Sequence, residues 1–422
     1  MKKRYAIVGA SSRGKNMYAV PLSKEYRDAA KIVGVYDPNY KRAEILKRDA
    51  GGDFPVYKSF EEMLDNSKPD IIIVTTVDRY HHEYIIKTLE AGCDVITEKP
   101  MTIDADKCNA IIAAEKKTGR KVIVTFNARF SPFATKIKEC IKAGMIGDVL
   151  NVHFEWLLDT SHGADYFRRW HRKLENSGGL LVHKATHHFD MVNWFIEQDP
   201  VSVNAFGTRR FYGPTKEKRS ERCLTCKYKG ECSFYFDLTR PNLKEMYLDA
   251  EDVDGYYRDT CVFSEEIDIY DTMSLNVKYS GDAVMSYSLT AHSPYEGYKI
   301  SINGTDGRLE AEYFAATSED PFAAVAADAV RRYTRRGEDA QNKLRIYNRH
   351  GEEYSIKVPS LSGTHGGSDE RLRNMIFRGV SEDPLGYSAG SRAGTMSLII
   401  GAAANISIKE ERAVKVIDLL KL

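Results

Sequence analysis

Five short, almost wholly apolar runs punctuate the first third of this chain and leave few ways to fold it. Tyr5-Ala6-Ile7-Val8, Ile32-Val33-Gly34-Val35-Tyr36, Ile71-Ile72-Ile73-Val74, Asp94-Val95-Ile96-Thr97 and Lys121-Val122-Ile123-Val124-Thr125 read as strands, with helical stretches between them. Runs without alternation are buried on both faces, and helices between them make right-handed crossovers onto a parallel sheet. An α/β domain with a doubly wound, Rossmann-type parallel sheet is predicted over residues 1–125.

From about residue 150 the pattern changes. Val152-His153-Phe154-Glu155-Trp156, Val201 to Phe206, Thr272 to Val277 and Ala283 to Leu289 read as strands, several of them alternating, and Ser280-Gly281-Asp282 as a hairpin turn. Residues 298–313 and 343–358 add further strands. This predicts an α+β domain over residues 126–422, built on a large, mainly antiparallel, open-faced sheet. The apolar segment Met396 to Ile406 is expected to be a helix packing back on a core. An apolar open face would need cover, which predicts a homodimer or homotetramer.

Length and charge narrow the function. At 422 residues the chain is too long for one ordinary core. Its 61 Lys and Arg nearly cancel 60 Asp and Glu, so no global field recruits nucleic acid or a membrane. The Arg331 to Arg336 run is expected to be a solvated helix end. No stretch approaches the roughly 20 apolar residues of a membrane helix. Seven cysteines in so long a chain do not make a disulfide scaffold, and a reducing, cytoplasmic setting is expected.

The first strand runs into Gly9-Ala10-Ser11-Ser12-Arg13-Gly14, the spacing of G-x-G-x-x-G with serine at the second glycine. Such a turn lets backbone approach a pyrophosphate, and the helix that follows offers N–H groups to it. Asp37 ends the second strand, about 20 residues on, where an acid accepts from the adenosine ribose hydroxyls. A nicotinamide dinucleotide is the expected cofactor. Asp37 favours NAD, while Arg13, Lys41 and Arg42 leave NADP open.

Further motifs follow in order. Thr75-Thr76 precedes His81, Glu98-Lys99-Pro100 follows a strand, Asn127-Ala128-Arg129-Phe130 follows the next, Gly178-Gly179 precedes His187 and Asp190, and Asn303-Gly304-Thr305-Asp306-Gly307 lies between late strands. With the glycine turn, this ordered set resembles the glucose–fructose oxidoreductase / inositol dehydrogenase / rhizopine-catabolism family, Gfo/Idh/MocA, over nearly the whole chain. The resemblance implies that Lys99 meets both nicotinamide ribose and substrate, that Glu98 orients it and that Pro100 shapes the loop, often through a cis bond. It also implies that Thr75, Thr76, His81 and Asn127 lie beside the cofactor and Arg129 beside the substrate. A cation near the reacting oxygen stabilises developing alkoxide, and a desolvated lysine can share the proton transfer.

The chain departs from the family where relatives carry Gly-Gly-x-x-x-Asp-x-x-x-His. The histidine position is His187, but the aspartate position is His183. On a continuous helix His183, His187 and Asp190 would share a face with Lys184 beside them. His187, His183 and Lys184 are therefore candidate catalytic residues, and the last two candidate substitutes for the missing acid. Arg169, Trp170 and His171, and more weakly Tyr295, are candidate sugar contacts, since aromatic faces and guanidinium groups bind C–H surfaces and hydroxyl rims.

Residues 208–265 read as an insertion carrying Cys223, Cys226, Cys232 and Cys261. That spacing suits a structural zinc, with an iron–sulfur cluster as the lesser alternative and free thiols as the plain one. The expected activity is a dehydrogenase or reductase for a hydroxyl-bearing carbon of a sugar, glycoside or cyclitol. One rival is a glycoside hydrolase or lyase that uses bound NAD transiently through a keto-sugar. Another is a non-catalytic dinucleotide sensor.

Overall fold

The computed structural model describes residues 2–314, 342–359, 367–379 and 382–421; the Arg331 to Arg336 run lies outside them. Strands β1 (Lys3–Val8), β2 (Ala30–Tyr36), β3 (Ile71–Val74), β4 (Asp94–Thr97) and β5 (Val122–Val124) form a sheet in the order β2-β1-β3-β4-β5, every pair parallel. A parallel bridge from Val35 to Val56 adds a short sixth position outside β2, completing the dinucleotide-binding order. β3 is buried along its whole length, as an unalternated run between two helical layers must be.

The second sheet has nine strands. They are β6 (Val149–Asp159), β7 (Pro200–Thr208), β8 (Thr272–Tyr279), β9 (Val284–Ser293), β10 (Gly297–Gly304), β11 (Gly307–Phe314), β12 (Lys343–Asn348), β13 (Glu353–Ser355) and β14 (Val414–Lys415), in the order β13-β12-β11-β10-β6-β9-β8-β7-β14. Only β6 and β9 pair in parallel. Helices Thr186–Ile196 and Ser391–Glu410 pack on each other, and the latter, which contains the apolar segment, lies against β7. Helix Ser368–Arg378 returns to the first domain, where Phe377 meets the edge of Tyr5 with ring centroids 5.4 Å apart.

Strict alternation divides this sheet into two unlike faces. On β8, Met273, Leu275, Val277 and Tyr279 are buried, whereas Thr272, Ser274, Asn276 and Lys278 are exposed. Their neighbours on β9 are Thr290, Ser288, Ser286 and Val284, and β6 adds Asn151, His153 and Glu155. The open face is thus mainly hydroxyl, amide and charged. The open face is not the apolar surface expected, so the burial of an apolar face gives no argument for a second copy. Among the described residues no helix is long and apolar enough to cross a membrane.

Candidate active site

The glycine turn is built for close backbone approach. Gly9 has φ +96°, and a Cβ on it would fall 2.6 Å from the Thr75 backbone. A Cβ on Gly14 would lie 2.5 Å from both the Gly9 carbonyl oxygen and Thr75 Oγ1. Thr75 Oγ1 donates to Gly9 O (2.6 Å), and Ser11 Oγ accepts from the Gly14 N–H (3.0 Å), so hydroxyls lock the turn where a larger side chain would block it. Ser12 Oγ accepts from Asn16 (3.2 Å) at the start of the following helix. Asp37 accepts from Ala10 N (2.6 Å) and Asn39 N (2.7 Å), and burial raises its pKa. Its carboxylate therefore sits against the turn, with further lone pairs for ribose hydroxyls. These residues fit a dinucleotide.

The insertion reaches back to this end of the first sheet. Asn39 Nδ2 donates to Ala250 O (2.8 Å), Lys41 Nζ to Asp252 (2.7 Å) and to Asp249 O (2.9 Å), and Arg42 pairs with Asp254. Of the three cations expected to leave NADP open, Lys41 and Arg42 are thus matched by carboxylates from residues 252 and 254.

At the carboxyl edge of the sheet, Lys99 lies before a cis peptide to Pro100. Its Nζ donates to His183 O (3.1 Å) and is 3.5 Å from His183 Nε2, while His183 Nδ1 is 2.5 Å from Asp78 Oδ2. Burial, with Lys184 nearby, lowers Lys99 to about 8, against the opposing pull of Asp78. Burial also raises Asp78 and lowers His183, while Lys99 and Arg169 act to keep Asp78 ionised. The hydrogen bond between Asp78 and His183 Nδ1 fixes the ring with its Nε2 turned to Lys99.

Glu98 accepts from Arg13 Nε (2.7 Å) and from Tyr18 Oη (2.7 Å). Arg13 also meets Asp369 (3.2 Å), which accepts from Asn127 Nδ2 (2.8 Å). The imidazole of His81 lies between Pro100 O (2.9 Å) and Thr76 O (3.1 Å), so it shapes the Lys99 loop. Thr76 Oγ1 donates only locally, to Val77 O (3.4 Å).

The second domain supplies the facing wall. Lys184 Nζ is 3.8 Å from Glu296 and 5.0 Å from the centre of the Trp156 ring. Burial pushes Glu296 up, but His162 and Lys184 outweigh it and hold the carboxyl at about 2. His162 Nδ1 is 2.9 Å from Glu296, and its Nε2 is 3.0 Å from Tyr166 Oη. Trp170 stacks on His171 at 3.6 Å, and His171 meets His183 at 4.2 Å between ring centroids. His187 lies edge-on to Phe126, its Nδ1 buried without a hydrogen-bond partner, and burial lowers its pKa well below the usual range. Tyr295 packs on Phe314, and its neighbour Glu296 is the residue in the wall.

Three expectations are corrected here. The helical face shared by His183, His187 and Asp190 does not form, because Leu180–His183 and Thr186–Ile196 are separate helices broken at Lys184 and Ala185. Asp190 turns instead to Arg129, which gives it Nε (2.7 Å) and Nη2 (2.6 Å) and spends Nη1 on Gly386 O (2.8 Å). Every nitrogen of that guanidinium has a partner within the protein, so Arg129 acts here as an anchor between Asp190 and the chain near Gly386.

The four-cysteine metal site is the third. Cys223, Cys226, Cys232 and Cys261 line one cavity with Arg168 and Arg222, yet among the described residues no three metal-ligating side chains converge. The physical reason is that the insertion has other means of cohesion. Cys223 packs with Phe236, Leu238, Leu243, Met246 and Tyr247, and Arg222 pairs with Asp259 (2.7 Å) and Glu251 (2.5 Å). Neither zinc nor a cluster is required to staple it. Cys93, Cys108 and Cys140 are buried, as their apolar contexts predict.

Asp78, Glu296, His162 and Asp369 were not among the sequence candidates. Asp78 carried a usable signal, a carboxylate just past the end of a parallel strand. Asp369 carried none, being 356 residues from Arg13.

The chain matches the Gfo/Idh/MocA oxidoreductase models twice, the NAD-binding Rossmann fold over residues 3–126 and the C-terminal alpha/beta domain over residues 138–416. It belongs to that family of NAD-binding oxidoreductases. It is 38% identical over 441 residues to the Bacillus subtilis (strain 168) protein YteT, an oxidoreductase by name, covering 100% of this chain and 99% of that one. It is 28% identical over 205 residues to an inositol 2-dehydrogenase of Rhizobium meliloti (strain 1021), covering 49% of this chain and 58% of that protein. The aldose-aldose oxidoreductase of Caulobacter crescentus shares the fold with a TM-score of 0.63 at 17% identity, over 98% of this chain and 100% of that one.

Proposed function

We propose that this oxidoreductase transfers a hydride between NAD(H) and a hydroxyl-bearing carbon of a sugar, glycoside or cyclitol, with Lys99 as the proton-transferring group. The observation that carries the reading is the buried Asp78–His183–Lys99 chain at the carboxyl edge of the parallel sheet. The dinucleotide, held by the Gly9–Gly14 turn and Asp37, supplies the hydride acceptor or donor.

Lys99, neutral above about pH 8, accepts the hydroxyl proton as the substrate is oxidised and returns it in reduction. Asp78 is a positioning residue that fixes the His183 ring and its tautomer. His183 Nε2 in turn orients the Lys99 amine, and Glu296 holds Lys184 on the facing wall. Trp170 and Tyr166 offer flat surfaces to a sugar ring. NAD is favoured over NADP, because Asp252 and Asp254 already neutralise Lys41 and Arg42. The inositol dehydrogenase and aldose oxidoreductase names among the relatives are consistent with this substrate class.

The test is the absorbance of reduced nicotinamide when the protein and NAD+ meet a panel of sugars, sugar acids and cyclitols. Steady production supports the reading. Cleavage of a glycoside with no net absorbance change would transfer it to the transient-oxidation mechanism.

A further inference from the structure

Two arginines beside the Lys99 chain share one carboxylate. Arg258 Nη2 is 2.6 Å from Asp165 Oδ1, and Arg169 Nη1 is 3.2 Å from Asp165 Oδ2. The Arg258 side chain is only 3% exposed, yet its Nε and Nη1 are buried with no hydrogen-bond partner, while Arg169 lies against the buried Tyr256 hydroxyl. Arg258 lies over the rings of Phe236 (4.9 Å) and Tyr247 (5.7 Å). Ring faces offset part of the charge, but they do not accept the in-plane N–H groups. Arg168 does not compete for Asp165 by contact, since its guanidinium donates to Phe234 O (2.9 Å) and reaches Cys223 Sγ (3.4 Å).

Buried N–H donors of a charged group are seldom left unmatched, because the desolvation is uncompensated. Arg258 and Arg169 share Asp165, and Arg169 also acts on Asp78. Asp165 is itself firmly ionised, held at about 2 because Arg258, Arg169 and Arg168 together outweigh its burial. The unmatched donors adjoin the site already described. Arg169 immediately precedes Trp170 and His171, and His171 touches His183. Arg169 also contributes, after burial, to the low pKa values of His171 and His183.

We propose that Arg258 and Arg169 bind the carboxylate of an acidic sugar, so that the substrate class is a uronate or aldonate and not a neutral sugar. This rests on the sugar reading given above. A planar carboxylate matches the N–H fork that Asp165 leaves open on Arg258.

NAD-loaded wild-type protein would be titrated with D-glucuronate and D-galacturonate, with D-glucose and D-galactose, and with the hexose 6-phosphates. The uronates should bind at least about tenfold more tightly than the hexoses, the scale of one charge-assisted contact. Arg258→Gln should abolish that advantage while leaving NAD affinity in place, with Tm lowered because Asp165 loses a partner, and Arg258→Lys should restore part of the advantage. If Arg258→Gln does not fold, Arg169→Gln, at the more exposed partner, takes its place. Equal binding of acid and neutral sugars, no binding of either uronate, or preference for the 6-phosphates overturns the inference. Failure of the protein to bind NAD at all would instead defeat the oxidoreduction reading beneath it.

Discussion

Arg129 and Arg258 are both buried arginines with an aspartate partner, and they differ in what is left of the guanidinium. Arg129 engages Asp190 through two nitrogens and backbone carbonyls through the third. Arg258 engages Asp165 through one nitrogen and leaves the other two covered and unmatched. The sequence reading assigned Arg129 to the substrate and passed over Arg258. Residue type and position in a motif therefore do not separate an anchor from a binding group; the state of the remaining donors does. The matched Arg129–Asp190 pair holds two elements together, whereas Arg258 keeps donors that a ligand can take.

The largest expected effect tests the anchor. Arg129→Met strands the Asp190 carboxylate in the core and should cost about 3–5 kcal/mol of stability in denaturant unfolding. Turnover per folded molecule should change little. A raised KM for the sugar at unchanged stability would break the comparison and return Arg129 to the substrate. Lys99→Ala is the opposite case, expected to lower kcat about 10²-fold or more with NAD binding and unfolding unchanged. Near-normal turnover by that variant would remove Lys99 from proton transfer.

Titration sharpens the contrast. Because Lys99 is lowered to about 8, it is protonated below that pH and cannot accept a proton. Oxidation measured as kcat/KM should therefore rise with pH and level off above about 8, while reduction, which needs the protonated amine, should fall over the same range. Asp78 raises the Lys99 pKa, so Asp78→Asn should move that midpoint to lower pH and lower kcat by roughly tenfold. Asp78→Glu should recover part of the rate. An unmoved midpoint would mean that Asp78 only packs.

The smallest effect concerns the cofactor. Asp252→Asn with Asp254→Asn should free Lys41 and Arg42 for a 2′-phosphate and raise NADP affinity relative to NAD by several-fold, about the worth of one or two exposed ion pairs. A ratio that does not move would leave discrimination to Asp37 alone.

Much of the first domain was legible because its signals are local. Apolar runs without alternation, a glycine turn and an acid at a strand end each act within one βαβ unit, so Gly9, Gly14 and Asp37 come together at the end of the first strand. The second sheet was legible as strands, and its alternation was visible along β8. Which half of that alternation faces outward followed only from where the helices Thr186–Ile196 and Ser391–Glu410 lie. The break at Lys184 and Ala185 left no mark in a pattern of histidines, and it decided that Asp190 would leave the site.

By itself, then, the sequence determined the sheet types and the glycine turn after the first strand, since periodicity and turn chemistry are properties of neighbouring residues. Tertiary structure alone decided which charges meet. Asp78 reaches His183 across 105 residues, Arg13 reaches Asp369 across 356, and the insertion brings Arg258 to Asp165. Electrostatic partnership depends on distance in space and on the exclusion of water, and neither is written in local order along the chain.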